Sequence, residues 1–178
     1  MRTTRPAGKL AIMRSWTLAL VLCLLSVMHA GCEPDGGCAS GDAPTVTLGH
    51  LVNDAFARLA DGEDVDIIMA PQGGYGVAVD AQTTGLFANQ ESRSTIHVVT
   101  EVDGASAGEF VLYQQSIVCD GEHGIASGIV VGIDPNRYGS SDALQVLDGV
   151  LATLVVDIVD QHDTRGHGEQ QVTLQVSQ

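Results

Sequence analysis

From residue 45 to the C-terminus, short runs of alternating apolar and polar residues are the strongest constraint on this chain. Val46 and Leu48 alternate with Thr45 and Thr47. Tyr75, Val77, Val79 and Ala81 share one face, with Asp80 and Gln82 on the other. Ile96, Val98, Thr100 and Val102 alternate against Thr95, His97 and Glu101. Val111, Tyr113, Ile117 and Cys119 make another face, broken by Gln115. Ile125, Ile129, Val131 and Ile133 follow, and Val150, Ala152, Leu154, Val156 and Ile158 form the longest run. Val172, Leu174 and Val176 close the series, with a further strand expected over 66–69. Turn clusters separate these runs: Pro71-Gln72-Gly73-Gly74, Asp103-Gly104, Asp134-Pro135-Asn136 and Gly166-His167-Gly168. Parallel βαβ units need crossover helices of about ten residues or more, and no such amphipathic stretch lies between the strands. Segments 50–60 and 141–147 carry helix-like apolar spacing but are short, and read as single helical turns or irregular connections. The pattern predicts an all-β domain over 44–178, an antiparallel β-sandwich of seven to eight strands with one face of each strand buried.

The N-terminal end is of a different kind. Arg2, Arg5, Lys9 and Arg14 precede an apolar run of about thirteen residues, from Trp16 to Met28. A membrane-spanning helix needs roughly twenty residues, so the run reads as the apolar region of an export signal. Met1 and Met13 both serve as possible starts. The segment ends Met28-His29-Ala30-Gly31-Cys32, which resembles the lipobox of bacterial lipoproteins, with His29 where Leu, Val or Ile is usual. That resemblance implies a signal peptide over 1–31, a lipid on Cys32 and a membrane link through it. The alternative is an ordinary secretory signal cut after Ala30. Residues 32–43, rich in Gly, Pro and Asp, read as a flexible tether. Glu33 replaces the aspartate that retains many lipoproteins at the inner membrane, which points to the outer membrane.

Every one of the 22 acidic residues lies beyond residue 31, opposed there only by Arg58, Arg93, Arg137 and Arg165, for a formal charge of −18. Such a surface repels phosphate backbones, so nucleic acid is excluded as a partner. With Cys23 removed in the leader and Cys32 lipidated, Cys38 and Cys119 remain. In an exported protein they form one possible disulfide; the alternative is two thiols.

The stretch Phe56-Ala57-Arg58-Leu59-Ala60-Asp61-Gly62-Glu63, continuing to Pro71-Gln72-Gly73-Gly74-Tyr75 and Gly85-Leu86, resembles a pattern in uncharacterised secreted or lipid-anchored proteins of myxobacteria and their relatives. The resemblance covers roughly thirty-five residues. Ala70 stands where that pattern has Gly, and Val77 and Val79 where it often has His and Trp. It implies an immunoglobulin-like sandwich and carries over no catalytic residue.

Chemistry-bearing residues concentrate in one region. Asp157, Asp160, His162, Asp163 and His167 mix imidazoles with carboxylates, a donor set suited to calcium or a transition metal; a solvated hairpin tip is the alternative. No Gly-x-Ser-x-Gly elbow and no phosphate-binding loop is present. The expectation is a non-enzyme: a lipid-anchored cell-envelope protein with a possible envelope protein partner and no required cofactor, or else an extracytoplasmic cation-binding protein.

Overall fold

The computed structural model describes Cys38, residues 42–70 and residues 73–176. The signal segment and Cys32 lie outside the described residues. Nine strands form one sheet: β1 (Thr45–Val52), β2 (Ala55–Arg58), β3 (Glu63–Met69), β4 (Tyr75–Thr84), β5 (Asn89–Val102), β6 (Ala105–Asp120), β7 (His123–Ile133), β8 (Leu151–Val159) and β9 (Arg165–Val176). Their order is β2-β1-β4-β3-β9-β8-β5-β6-β7, and β7 pairs back onto β4. That last pairing runs from Tyr75 against Ile133 to Thr83 against Gly124. It closes seven strands, β3 to β9, into a barrel, with β1 and β2 as two further strands that are not members of the ring.

The expected immunoglobulin-like sandwich is therefore corrected to a closed barrel. Alternation reports only that one face of a strand is buried. An inward face is equally satisfied by an opposing sheet or by the same sheet curled on itself. What decides is β4, both of whose edges are occupied: β7 lies along one, while β3 (at Tyr75–Val77) and β1 (at Asp80–Thr84) divide the other.

Strand direction cannot alternate all the way around a ring with an odd number of members. At least one neighbouring pair must run parallel, and β3 with β9 is that pair, Glu63 opposite Val172 through Ile67 opposite Val176. The other six contacts of the ring are antiparallel.

The inward residues fill the lumen. Val77, Val79 and Ala81 of β4, Ile96 and Val98 of β5, Ile129 and Val131 of β7, and Leu154, Val156 and Ile158 of β8 are all buried. On β9 the inward positions change character along the strand, from Gly166 and Gly168 through Gln170 to Val172 and Leu174. The glycines are required there because β1 crosses close by. A Cβ at Gly168 would stand 2.4 Å from the carbonyl oxygen of Val46, and one at Gly166 2.9 Å from its Cγ2.

Segment 50–60 is not helical. It is the β1–β2 hairpin, turned by Asn53 (φ 52°) and Asp54 (φ 64°). Two consecutive left-handed residues of Asn/Asp type make the hairpin turn that matches strand twist. Segment 141–147 does contain helical turns. Asp134 caps α1 (Pro135–Tyr138) through Asn136 N–H, and Ser140 caps α2 (Ser141–Leu144) through Ala143 N–H, followed by a 3₁₀ turn over Gln145–Leu147. Tyr138, Leu144 and Leu147 from this connection join the barrel core.

The barrel has two distinguishable ends. One carries the α1–α2 connection, the Asp103-Gly104 turn, Gly73-Gly74 and the last residue of β9. The other carries the β6–β7 turn, the β8–β9 turn, the loop between β4 and β5, and the beginning of β1. Cys38 packs at this second end.

Candidate functional site

With the lumen filled, polar chemistry is left to the outer wall and the ends. On the wall, the register of β5, β8 and β9 places His97 opposite Asp157, and Asp157 opposite His167. These three outward residues form one row across three adjacent strands. Directly opposed cross-strand side chains lie about 5 Å apart at Cβ and interact. Glu109 of β6 and Glu169 of β9 flank the row.

A carboxylate only accepts, so His167 Nδ1–H donates to Asp157 Oδ1 at 2.7 Å, and His97 Nε2–H donates to Glu109 Oε1 at 2.8 Å. In the neutral rings the other nitrogen of each is a bare lone pair. His97 Nδ1 faces Asp157 Oδ2 at 3.9 Å, and His167 Nε2 faces Glu169 Oε2 at 4.0 Å. The arrangement thus holds two gaps, each with an imidazole nitrogen on one side and a carboxylate oxygen on the other.

Of the five residues expected to share a metal, the structure brings together Asp157 and His167. It separates Asp160, His162 and Asp163 from them by function. Asp160 is buried at the β8–β9 turn, and its carboxylate is occupied by backbone donors: Phe87 N–H on Oδ2, and His162 and Thr164 N–H on Oδ1. The His162 ring packs against Phe87 with centroids 4.6 Å apart. Asp163 supplies a left-handed turn residue (φ 63°). Among the described residues, no three His, Cys, Asp or Glu side chains converge as a metal-holding group.

His97 and Glu109 escape sequence reasoning as members of the row. The alternation does place His97 and Asp157 on polar faces, but Gly166-His167-Gly168, expected as a turn, lies inside β9. Which polar faces become neighbours depends on strand order and register, and neither is written in a single strand.

At the second barrel end, Cys38 and Cys119 meet. The backbone N–H of Cys38 donates to Cys119 Sγ at 2.8 Å. The Cys38 thiol also reaches the His123 carbonyl at 3.0 Å, and Cys119 reaches that of Ala88 at 3.0 Å. Burial first, then the hydrogen bond and charge repulsion from Cys119, push the Cys38 thiol up to about 12. Cys119 is exposed to solvent. His123 Nδ1, on the adjacent hairpin, is buried with no hydrogen-bond partner.

A third feature lies toward the opposite end. Tyr75, Phe110, Leu112, Val130, Gly132 and Pro135 line a shallow apolar groove. The Phe110 ring rests on Gly132, where a Cβ would stand 2.1 Å from Phe110 Cε2. Phe110, Val111 and Tyr113 of β6 remain exposed beside it.

No protein-family model matches this chain, and no curated protein matches it.

Proposed function

We propose that the chain is a non-catalytic, lipid-anchored protein of the cell envelope, a barrel module that offers its outer wall and loops to an envelope protein. The observation that carries this reading is the sequence Ala30-Gly31-Cys32 at the end of an apolar leader. The resemblance to secreted and lipid-anchored proteins supports the same compartment. A lumen packed with Ile, Val and Leu side chains leaves recognition to the outside, where the Phe110 groove is apolar and the rest of the surface is strongly acidic. Each buried acyl methylene contributes about 0.8 kcal/mol, so two or three chains on Cys32 hold a protein of this size at a bilayer. Mass spectrometry of the mature N-terminus tests the reading. A diacylated or triacylated Cys32 peptide is the expected result. Full-length chain in the cytosol with its leader attached and Cys32 unmodified refutes it.

A second reading, extracytoplasmic cation binding, is favoured by the two gaps along His97–Asp157–His167. Metal–ligand bonds of about 2.1 Å set donors roughly 3.4–4.2 Å apart across a bound transition metal, and the gaps measure 3.9 and 4.0 Å. Calorimetry with Zn²⁺, Cu²⁺ and Ca²⁺ on the parent and on Asp157→Asn separates the readings. Heat that disappears in the variant supports a wall site; no heat with any of the three ions eliminates it.

A further inference from the structure

We propose that Cys38 and Cys119 form a disulfide that clamps the chain to the second barrel end and thereby turns that end toward the membrane. The second half rests on the lipid-anchor reading; the first half stands without it.

The geometry is already that of partners. The two residues are 81 apart in sequence, yet the Cys38 N–H donates to Cys119 Sγ at 2.8 Å. Cys119 sits on β6 opposite Gly124 of β7, so its backbone is held by the ring itself. Nothing else covalent restrains Cys38. In an exporting cell such a pair meets disulfide oxidants.

The chemistry balances with a protein disulfide as oxidant. The exposed Cys119, as thiolate, attacks one sulfur of the oxidant's disulfide. That S–S bond breaks, one sulfur leaves as thiolate, and a mixed disulfide forms on Cys119. The Cys38 thiolate then attacks Cys119 Sγ and expels the oxidant's second sulfur. The two thiol protons, relayed through water, and the two electrons end on the oxidant, which leaves as a dithiol. Two of the three causes that hold the Cys38 proton, the hydrogen bond to Cys119 and its charge, vanish once Cys119 is in the mixed disulfide. Cys38 becomes a better nucleophile at the step where it must attack.

The consequence is orientation. Six residue steps separate Cys32 from Cys38, a chain that spans at most about 20 Å. Six of the seven ring strands have nine to sixteen residues and make a barrel whose ends lie further apart than that, at about 3.3 Å per residue along a tilted strand. A lipid on Cys32 therefore reaches the bilayer only with the Cys119 end nearest to it. The α1–α2 connection and the Phe110 groove then point away, toward whatever the envelope presents.

Two measurements on the full chain, exported from its own leader, test this. In the first, thiols are trapped in acid with N-ethylmaleimide and the protein is digested without reduction. A linked peptide joining Cys38 to Cys119, lost on reduction, is expected; maleimide on both cysteines in exported material overturns the disulfide. The same digest reports the state of Cys32, so a linked pair on an unacylated chain keeps the clamp and rejects the anchor. In the second, tryptophan is introduced at exposed sites of the two ends, Glu122→Trp or Asn136→Trp, since the only natural tryptophan, Trp16, lies in the leader. The proteins are placed in phosphatidylethanolamine–phosphatidylglycerol vesicles carrying dansyl headgroups. Several-fold more energy transfer from position 122 than from 136 is expected, with the difference reduced by Cys38→Ser. Equal transfer from both, or more from 136, overturns the orientation.

Discussion

Asp160 ties two loops together at one barrel end, and replacing it should cost the protein a large part of its stability. The side chain is 4% exposed and accepts three backbone N–H bonds, at 2.8 Å from Phe87, 2.8 Å from His162 and 2.9 Å from Thr164. A hydrogen bond to a charged group contributes about 1.5–3 kcal/mol net, and a buried donor left without an acceptor costs about 1–3 kcal/mol. In Asp160→Asn the amide oxygen keeps His162 and Thr164, now as weaker neutral bonds. The amide nitrogen must then face the Phe87 N–H, donor against donor. The expected loss is about 2–4 kcal/mol, from one charged bond removed and two weakened. Asp160→Ala orphans all three donors and should cost about 3–5 kcal/mol, close to the whole stability of a marginal domain. Urea unfolding followed by far-ultraviolet circular dichroism measures this as a lower midpoint with unchanged slope. Asp163→Asn is the control. Asp163 is exposed with φ 63°, a conformation asparagine also adopts, and its change should lie within about 0.5 kcal/mol. If Asp160→Asn unfolds with the parent, or Asp163→Asn costs as much, the carboxylate does not hold the loops.

Other perturbations follow from the same geometry. Gly168→Ala drives a Cβ to 2.4 Å from the Val46 carbonyl, a backbone obstacle that cannot rotate aside. It should cost about 1–3 kcal/mol by thermal denaturation, and an unchanged melting temperature would show that β1 moves freely over β9. Ser92 Oγ accepts the Ile117 N–H at 2.8 Å and donates to the Ile117 carbonyl at 3.2 Å, replacing a ladder pair where the β5–β6 register slips. Ser92→Ala should cost about 1–3 kcal/mol in urea; a neutral result would mean water repairs the gap. In the reduced protein the folded state holds the Cys38 proton more tightly than the unfolded chain, about 12 against 9.0. That stabilisation is full below about pH 9 and is lost as pH rises toward 12. Reduced parent should therefore lose urea resistance between about pH 9 and 11 relative to Cys38→Ser, and parallel curves would refute the assignment.

Most strands were legible because they carry their own in-and-out signal; β6 does not, its Val111, Tyr113 and Cys119 being exposed where one apolar face is expected. β4, β5, β8 and β9 alternate cleanly in burial along most of their lengths. The closure was not legible, because it is a property of edges. Tyr75 must find Ile133, and Glu63 must find Val172, and no local pattern records those meetings. The β1–β2 hairpin was obscured differently. Leu51, Ala55, Phe56 and Leu59 repeat at helical spacing, and the turn-forming Asn53-Asp54 between them outweighs that spacing. At the candidate site, Cys38 and Cys119 are a pair that composition alone suggests. A carboxylate among histidines resembles a ligand in the sequence, whereas the oxygens of Asp160 serve backbone donors. The row of His97, Asp157 and His167 needed the register of three strands before it existed as a row.

The seam of like-directed strands joins Glu63–Ile67 to Val172–Val176, segments separated by more than half the chain. Without β9 the other six ring strands, in the order β3-β4-β7-β6-β5-β8, would carry two unpaired edges, one on β3 and one on β8. The ring is complete only with β9 seated between β8 and β3.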